Sequence, residues 1–398
     1  MSIAKTICII HHTGDMGGGT KSFIDVMKML KNDFNVIACI PSGADKLKGI
    51  LDTEGIEVKE INSRIPLLPR YSGGSSLFST SMFRSLLGLR KKNIKSFCAE
   101  IEVLKPDVLI FNSIVTVVSA PFFSSKIKKI CFVRETIVNT LSGNYFRKII
   151  ENHISGVCFL AEAEKDKMKL THSSAIVIPD SMPSTNTVCI DRDTARNSEG
   201  LPVNEYIILY MGGMLPIKGA ETALDAVSRL GAGYRLIIGG TFDEDLLSLH
   251  SIVNHWYSVK YITYMLKLRI SYFRVKRRGL VTTTGYRQDI SGIISACDVV
   301  VFPSTSVHQP RPCIEAGYYD KPVIISDYTE TKEFFKDGYN ALTFKPKSSK
   351  ELAKKLKYAK ENPSVMMKLG VNNHKMSDEL HNYDAIQADL HTFLYKLI

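Results

Sequence analysis

The chain alternates between short apolar runs and longer stretches in which apolar residues recur at helical spacing. In the first half, the apolar runs occupy residues 5–11, 35–40, 107–112, 128–133, 156–161 and 175–179. The second half has similar runs at residues 206–213, 234–240, 280–286, 299–304, 322–326 and 341–344. Short β-branched runs that alternate with helix-like stretches predict parallel sheets covered by helices on both faces. The predicted fold class is α/β, with two doubly wound, Rossmann-like domains.

A polar stretch between the two halves predicts the domain boundary. Residues 181–205 carry turn-forming and charged residues without an apolar period, as expected of a structureless linker. We therefore expect an N-terminal domain at 1–180, a C-terminal domain at 206–375 with an insertion at 242–279, and a final helix at 376–398 that packs back on the N-terminal domain. Ligands bind beyond the carboxyl ends of parallel strands. Two such domains that face each other across a cleft would hold their site in the strand-to-helix turns.

Composition limits the cellular compartment and the class of partner that we expect for this protein. The net charge of +11 favours an anionic partner, such as a phosphorylated substrate, an anionic bilayer or a nucleic acid. The eight cysteines include no CxxC pair, which indicates buried thiols in a reducing compartment. No signal peptide is predicted, and no apolar run reaches the roughly 18 residues of a membrane-spanning helix. A cytoplasmic protein is the expectation.

Three strand-to-helix turns carry candidate chemistry. In HTGDMGGGTKSF (12–23), consecutive glycines, which include Gly18 and Gly19, precede a helix and let the backbone approach an anion or a sugar hydroxyl. In MGGMLPIKGAETALDAV (211–227), Lys218 precedes a helix and suits a diphosphate. After the run VVVFPS, Glu315 falls in the predicted first turn of the helix PCIEAGYY. Each feature also has a purely structural reading: a packing turn, a solvated lysine, and a carboxylate that complements the helix dipole.

Together these segments resemble the retaining glycosyltransferases of the GT-B fold, family 4, also called glycosyltransferase group 1. MGGMLPIKGAETALDAVSRL is similar to the "GR-x-x-P-x-KG" segment of that family. PSTSVHQPRPCIEAGYYDKPVIISDYTETKEFFKDGYNALTF is similar to its nucleotide-binding stretch, which contains two glutamates separated by seven residues. The likeness runs from about residue 206 to 361, and the N-terminal half fits in layout.

The resemblance implies roles for the residues that match. Glu315 would bind the nucleotide ribose, and Lys218 would bind the donor diphosphate and help to neutralise the leaving group. Gly18 and Gly19 would approach the diphosphate or the donor sugar from the other domain.

The chain departs from the family pattern at two positions. Gly213 stands where the family has an arginine, and Arg311 is a possible replacement as a diphosphate ligand. Val307 stands where the family has the first glutamate, which usually touches the donor sugar. His308 and Gln309 are therefore the candidates for contacts to the sugar.

One further acid is a candidate in the N-terminal domain. Glu135 follows the strand KKICFV and could orient or deprotonate the acceptor hydroxyl, or it could be an ordinary ion-pair residue. Asn112 and Ser113 end the preceding strand and are weaker candidates. The resemblance implies no metal and no cofactor other than the nucleotide-sugar donor, and we expect the acidic residues at 243–245 to start a helix.

The insertion contains an unusually basic and aromatic block at residues 256–278. It holds seven lysines and arginines and no acid. On a helix, Lys260, Lys267, Ser271, Arg274 and Arg278 would form one face, opposite Val259, Ile262, Leu266, Ile270 and Phe273. Such a helix is typical of an anionic membrane surface, and a second basic segment occurs at 89–97.

We therefore expect a hexosyl- or related transferase (EC 2.4) that is peripheral on the inner face of the cell membrane. It would move a sugar from a nucleoside-diphosphate sugar to a glycan acceptor. A membrane-docked transferase most simply uses a lipid-linked acceptor, as in the assembly of bacterial surface polysaccharide such as O-antigen or capsule. The alternatives are a nucleotide-sugar 2-epimerase of the same fold and a non-catalytic partner subunit. A nucleic-acid protein is disfavoured because no recognised binding module is present.

Overall fold

The chain forms two compact units. Unit 1 comprises Met1–Pro183 and Tyr383–Ile398, and unit 2 comprises Ser184–Asn382. The computed structural model describes residues 5–68, 87–135, 141–171, 173–182, 190–240, 242–249, 252, 259–285, 287 and 289–398.

Each unit is built on one parallel sheet. The strands of unit 1 are β1 (Thr6–Ile10), β2 (Asn35–Pro41), β3 (Glu57–Ile61), β4 (Val108–Phe111), β5 (Lys128–Val133), β6 (Gly156–Phe159) and β7 (Ser174–Val177). Those of unit 2 are β8 (Tyr206–Tyr210), β9 (Tyr234–Gly239), β10 (Val281–Gly285), β11 (Val299–Phe302), β12 (Val323–Ser326) and β13 (Leu342–Phe344). The spatial orders are β3-β2-β1-β4-β5-β6-β7 and β10-β9-β8-β11-β12-β13. In both sheets the order reverses once, between β1 and β4 and between β8 and β11.

Helices connect these strands. In unit 1 they are α1 (Gly18–Leu30), α2 (Asp45–Thr53), α3 (Lys91–Glu102), α4 (Leu141–His153) and α5 (Glu162–Met168). In unit 2 they are α6 (Arg192–Ser198), α7 (Ala220–Ser228), α8 (Val259–Arg277), α9 (Ser291–Ala296), α10 (Arg311–Gly317), α11 (Ser349–Glu361) and α12 (Pro363–His381). The chain then returns to unit 1 as α13 (Tyr383–Leu397). Short 3-10 segments cover Ile114–Phe122, Pro216–Lys218, Asp245–Leu247 and Thr329–Thr331.

The sheets are buried on both faces because successive side chains of a strand point in opposite directions. In β1, Ile7 and Ile9 join one apolar cluster of unit 1, whereas Cys8 and Ile10 join the cluster on the other face. All cysteines in the described residues are buried and free, as expected of core thiols. The predicted α/β fold with two doubly wound sheets is confirmed.

Helix α13 is part of the core of unit 1. Its Leu390 and Leu394 are buried in the cluster that contains Ile7 and Ile9. A Cβ on Gly156, the first residue of β6, would lie only 2.4 Å from Leu397 Cδ1, so glycine lets α13 approach the sheet. The predicted final helix at 376–398 is therefore wrong in its start, because residues up to His381 belong to α12 and to unit 2.

Two other features of the organisation differ from the sequence analysis. The predicted linker is not structureless, since it contains α6, whose first turn is capped by the Asp191 carboxylate through the amides of Asp193 and Thr194. Residues 183–189 of that linker lie outside the described residues. Strand β3 was not predicted, because its sequence EVKEI is mostly charged. Among the described strands it pairs with β2 alone, at the edge of the sheet, where polar residues are common.

The basic block is helical over Val259–Arg277, and residues 256–258 lie outside the described residues. The predicted basic face is wrong at two positions. Ser271 is buried and donates a hydrogen bond to Asp225 Oδ1 at 2.6 Å. Arg278 follows the last residue of α8 and donates to the carbonyl oxygens of Ser228, the last residue of α7, and Leu230. Among the described helices, none combines the length and apolarity needed to cross a bilayer.

Helix α6 is anchored by a fully buried arginine. Arg196 is 0% exposed and pairs with Asp298 at 2.6 Å, and it also donates to the carbonyl oxygens of Ala296, Val203 and Glu205. These bonds connect α6 to residues beside β8 and β11.

We predict that Arg196→Met lowers the free energy of unfolding of unit 2 by about 3–5 kcal/mol, because it leaves the Asp298 carboxylate without its buried partner. Arg192→Met is the matched control, since Arg192 contacts the same carboxylate at 3.4 Å but is half exposed; its effect should stay below about 1 kcal/mol. Urea denaturation followed by circular dichroism measures both. Equal effects of the two variants would contradict this account of Arg196.

Candidate active site

In unit 2, the loops that follow β8 and β11 are held together by hydrogen bonds. The amide of Thr305 donates to Ile217 O at 2.9 Å, and the Thr305 hydroxyl donates to Pro216 O at 2.8 Å. These loops leave neighbouring strands at the point where the strand order reverses. Doubly wound sheets bind their ligands at such a point.

Gly219 makes this close approach possible. Its φ of +77° lies in the left-handed region, and a Cβ at this position would lie 1.8 Å from Pro303 O. Only glycine avoids both the backbone strain and the collision. The fold therefore explains Gly219, because a glycine at this position allows the two loops to touch. Lys218 directly precedes it, on the loop that follows β8.

Gly213 has a structural reason as well. Its φ is +68°, and its carbonyl oxygen accepts a hydrogen bond from the Tyr210 hydroxyl at 2.7 Å. The Tyr210 ring also fills the space that a Cβ on Gly212 would need. The tyrosine thus shapes the turn at the position where the resembling family carries an arginine.

Lys218 is a partly buried cation. Burial lowers the pKa of its ammonium group to about 8. The described residues place no carboxylate in ion-pair contact with it, and its electrostatic influence reaches His308 on the neighbouring loop. A desolvated ammonium group without a counter-ion is a favourable place for a ligand anion.

His308 is held as a neutral imidazole. Burial, followed by repulsion from Lys218, lowers its pKa to about 3. Its ring packs 4.8 Å from the ring of Phe302, and Nδ1 lies 3.0 Å from Ser306 O. Because a carbonyl oxygen can only accept, Nδ1 carries the proton and Nε2 presents a lone pair. At neutral pH this side chain can accept a hydrogen bond but cannot donate a proton from Nε2.

Glu315 lies one residue further along α10 than the sequence indicated, just beyond the first turn. The helix begins at Arg311, so the prediction that Glu315 occupies the first turn is wrong. Proline at the second helical position is compatible with this earlier start, since the first amides of a helix have no intrahelical partner. Arg311 Nε donates to Glu315 Oε1 at 3.1 Å, and both side chains are more than nine-tenths buried. Gln309 lies on the preceding loop and is partly buried.

Helix α10 is positioned by α12. Asn373 Nδ2 donates to Cys313 O, and the Ser377 hydroxyl donates to Ile314 O. A Cβ on Gly317 would lie 2.1 Å from Ser377 Oγ, so the helices touch closely there. The arginine–carboxylate pair is thus fixed on a rigid element next to the loop that carries His308.

The glycine turn of unit 1 is not required by the fold. Gly17, Gly18 and Gly19 have no positive φ, and a Cβ on any of them would meet nothing within 4 Å. All three are exposed where α1 begins. Neither backbone strain nor packing explains them, which favours the reading that the backbone is kept bare for a ligand.

A buried polar network lies beneath this turn. Asn112 Nδ2 donates to His11 Nδ1 at 3.0 Å, so Nε2 carries the proton and donates to Thr20 Oγ1 at 3.0 Å. Thr20 in turn donates to Asp15 O. Burial, with the neighbouring charges of His12 and Arg134, lowers the pKa of His11 to about 3. His11 is therefore a neutral positioning residue for the start of α1.

Arg134 extends the network across the sheet. Its Nε donates to Asn112 Oδ1 at 3.0 Å, and its Nη1 contacts Ser22 and pairs with Asp180 Oδ1 at 3.0 Å. Ser22 also donates to Asp180. Both members of the ion pair have side chains that are 8% exposed. The pair ties residues that follow β5 and β7 to helix α1.

Glu135 has hydrogen-bond partners on both carboxylate oxygens. The Ser113 hydroxyl donates to Oε1, and the amide of Ile114 donates to Oε2 at 3.2 Å. Burial raises the pKa of the carboxyl group, although these bonds oppose the shift. Glu135 therefore anchors the start of the 3-10 segment, and its role toward an acceptor stays a prediction.

The structure groups the candidates by unit. In unit 2, Lys218 lies near His308, and Arg311 pairs with Glu315; in unit 1, Glu135 adjoins the network beneath Gly18 and Gly19. The sequence reading missed His11, Ser22, Arg134 and Asp180. A signal was present for two of them, because His11 and Arg134 directly follow β1 and β5. Among the described residues, no group of three or more His, Cys, Asp or Glu is placed to hold a metal ion.

Known structures share this architecture over nearly the whole chain. Anabaena HepE, solved with UDP and glucose, has a TM-score of 0.76 at 17% identity, with 99% of this chain and 100% of that chain covered. Sucrose-phosphate synthase from Thermosynechococcus elongatus has a TM-score of 0.73 at 17% identity, with 99% of each chain covered. Together with the two parallel sheets, these likenesses define a protein of the GT-B fold.

Sequence comparison finds a family match within the second unit. Residues 191–376, which lie in the second unit, match the model of the glycosyl transferases group 1. A relative from Campylobacter jejuni, N,N'-diacetylbacillosaminyl-diphospho-undecaprenol alpha-1,3-N-acetylgalactosaminyltransferase, is 29% identical over 117 residues. That match covers 29% of this chain and 31% of the relative, so it spans about a third of the relative's length.

We predict that Gly219→Ala lowers the free energy of unfolding of unit 2 by at least about 2 kcal/mol, because of its positive φ and the collision with Pro303 O. Gly18→Ala, by contrast, should change the stability of unit 1 by less than about 1 kcal/mol, since a helix prefers alanine and the space is open. Urea denaturation of both variants tests the distinction. A large loss from Gly18→Ala would show that the fold does require this glycine.

Proposed function

We propose that the protein is a retaining glycosyltransferase that moves a sugar from a nucleoside-diphosphate sugar to a lipid-linked glycan. The observation that carries the proposal is the pairing of the Lys218 loop with the His308–Glu315 segment at neighbouring strand ends. Both lie inside the stretch that matches the glycosyl transferases group 1.

The donor diphosphate would bind at Lys218. The ammonium group is partly desolvated, no acid of the described residues forms an ion pair with it, and the amides at the start of α7 follow directly. Glu315 would accept hydrogen bonds from the two ribose hydroxyls, with Arg311 holding the carboxylate in place. The support for UDP as a probe is that HepE was solved with UDP and with UDP-glucose.

The chemistry follows from charge. The bond between the anomeric carbon and the diphosphate oxygen breaks through an oxocarbenium-like transition state, and negative charge grows on the diphosphate. Lys218 stabilises this charge by electrostatic preorganisation. The acceptor hydroxyl attacks from the face that the diphosphate leaves and gives its proton to the departing phosphate oxygen. His308 is too weak a base to hold that proton, so we assign it and Gln309 to orienting the donor sugar.

Unit 1 would contribute exposed glycine backbone and one carboxyl group. The exposed glycines Gly18 and Gly19 would allow a diphosphate or sugar to come close to the first amides of α1. Glu135 would orient the acceptor hydroxyl by accepting a hydrogen bond from it.

We propose a lipid-linked acceptor and peripheral attachment at the inner face of the cell membrane. The support is the net charge of +11 and the Campylobacter relative, whose printed name includes diphospho-undecaprenol. Assembly of a bacterial surface polysaccharide such as lipopolysaccharide O-antigen or capsule uses acceptors of this class.

We predict that Glu315→Gln weakens the binding of UDP by about tenfold to a hundredfold. The reason is that hydrogen bonds to a carboxylate contribute about 1.5–3 kcal/mol, more than those to a neutral amide. Isothermal titration calorimetry with UDP measures the change.

Glu361→Gln is the matched control for this variant. Glu361 also pairs with a cation four residues away, Lys357 at 3.8 Å, but both side chains are largely exposed. Unchanged UDP affinity in both variants would refute the ribose role. Turnover of UDP-sugars by the wild type is measured with and without an acceptor. This measurement distinguishes glycosyl transfer from 2-epimerisation, and both from the lack of turnover expected of a non-catalytic subunit.

The second prediction concerns pH. The free Lys218 ammonium group loses its proton as pH rises through about 8, so UDP affinity should fall above this pH and level off below it. Lys218→Arg should remove this fall, because a guanidinium stays charged. Lys218→Met should bind weakly at every pH. Calorimetry across this pH range tests whether UDP affinity falls as pH rises. A wild-type affinity that increases with pH would contradict the prediction.

A further inference from the structure

Helix α8 has one face packed into unit 2. Met265, Leu268, Tyr272 and Val275 are buried in the same apolar cluster as residues of α7 and β8. These positions recur at the spacing of one helical face. The helix is thus a docked element of the domain and not a free arm.

The opposite face of α8 is apolar but exposed. Val259 is 75% exposed, Ile270 57% and Leu266 37%. Their separations of seven and four residues align them in one stripe along about 16 Å of helix. Phe273, partly buried, continues the same side and carries the Arg269 guanidinium 4.8 Å from its ring. Transfer of apolar side chains from water to an apolar layer lowers their free energy, so an exposed apolar helix face favours contact with such a layer.

Positive charge surrounds this stripe. Lys260, Lys267, Arg274 and Arg277 are exposed on or beside the same face, and the helix contains no aspartate or glutamate. Arg274 lies 3.8 Å from Asp225. For Lys260, Lys267 and Arg277, the described part of the chain provides no ion-pair partner. The surface therefore combines an apolar stripe with cations, most of which have no ion-pair partner among the described residues.

We propose that α8 lies in the headgroup layer of an anionic bilayer, with Val259, Leu266 and Ile270 inserted at the boundary to the acyl chains. This inference rests on the proposed function, because it specifies the surface that would bring the enzyme to a lipid-linked acceptor. A helix with an apolar stripe, flanking lysines and arginines, and too little apolar length to span is typical of this position. An anionic bilayer can contact cations along the whole helix, and each cation strengthens binding to the bilayer about fivefold.

The same helix is joined to the donor-side loop. The Tyr264 hydroxyl donates to Met214 O at 2.8 Å, four residues before Lys218. The amide of Asp243 also contacts Met214 Sδ at 3.2 Å. The bilayer surface and the loop that carries Lys218 are therefore connected through one side chain of α8.

Vesicle co-sedimentation of the full chain tests the proposal. We expect the wild type to bind vesicles of phosphatidylcholine with phosphatidylglycerol at low salt and to bind phosphatidylcholine alone much more weakly. Val259→Ala/Leu266→Ala/Ile270→Ala and Lys260→Gln/Lys267→Gln/Arg277→Gln should each bind the mixed vesicles at least tenfold more weakly. High salt should release most of the wild-type protein from the vesicles, and it should release the alanine triple variant more completely.

Helices elsewhere in unit 2 offer matched controls. Val365, Met367 and Val371 on α12 are similarly exposed apolar residues, and Lys350, Lys354 and Lys357 on α11 are exposed cations. Their alanine and glutamine triples should bind vesicles like the wild type. If these controls lose binding equally, attraction is a property of overall charge and the proposal is wrong.

Two other results would also overturn it. Equal binding to both vesicle types would remove the role of the cations. A wild-type dimer that the alanine triple converts to a monomer, without a change in vesicle binding, would assign the stripe to a second copy of the chain. Because sedimentation requires no nucleotide, a protein that binds vesicles but not UDP would refute the proposed function and leave this surface intact.

Discussion

The candidate site depends on the contact between Gly219 and Pro303. The backbone of one loop packs directly against that of the next, and two hydrogen bonds from Thr305 join the turns after β8 and β11. This contact sets the position of Lys218 relative to His308, and it forces the chain through a left-handed residue immediately after the lysine. A side chain at Gly219 would separate the two loops, and the cation and the imidazole would no longer share one environment. The electrostatics of the site thus follows from a steric constraint.

Lys218 and His308 show how one environment gives two nitrogen groups different roles. Both pKa values are lowered by burial. The lysine starts from a high value and remains largely charged near neutral pH, whereas the histidine becomes fully neutral. The two neighbouring loops therefore present one cation and one lone pair that influence each other electrostatically. That combination suits a ligand with an anionic group next to hydroxyl groups, as in a nucleoside-diphosphate sugar.

The sequence predicted the sheets and the turns at their carboxyl ends, because buried parallel strands are nearly continuous apolar runs. It did not reveal β3, whose charged residues fit an edge strand, or the start of α10 at Arg311. The network of His11, Arg134 and Asp180 was also missed. Its members lie far apart along the chain, and only the strand order β1-β4-β5-β6-β7 brings them together. Local patterns indicate elements, but contacts between distant residues require the topology.

The two units differ in continuity, because unit 1 is completed only by α13 while unit 2 is one unbroken stretch. During synthesis, the ribosome finishes all of unit 2 before the residues that cover Gly156 and Met29 exist. The first sheet must therefore wait with part of its apolar surface uncovered while the second domain folds. In this chain the domain made first is the one that matures last.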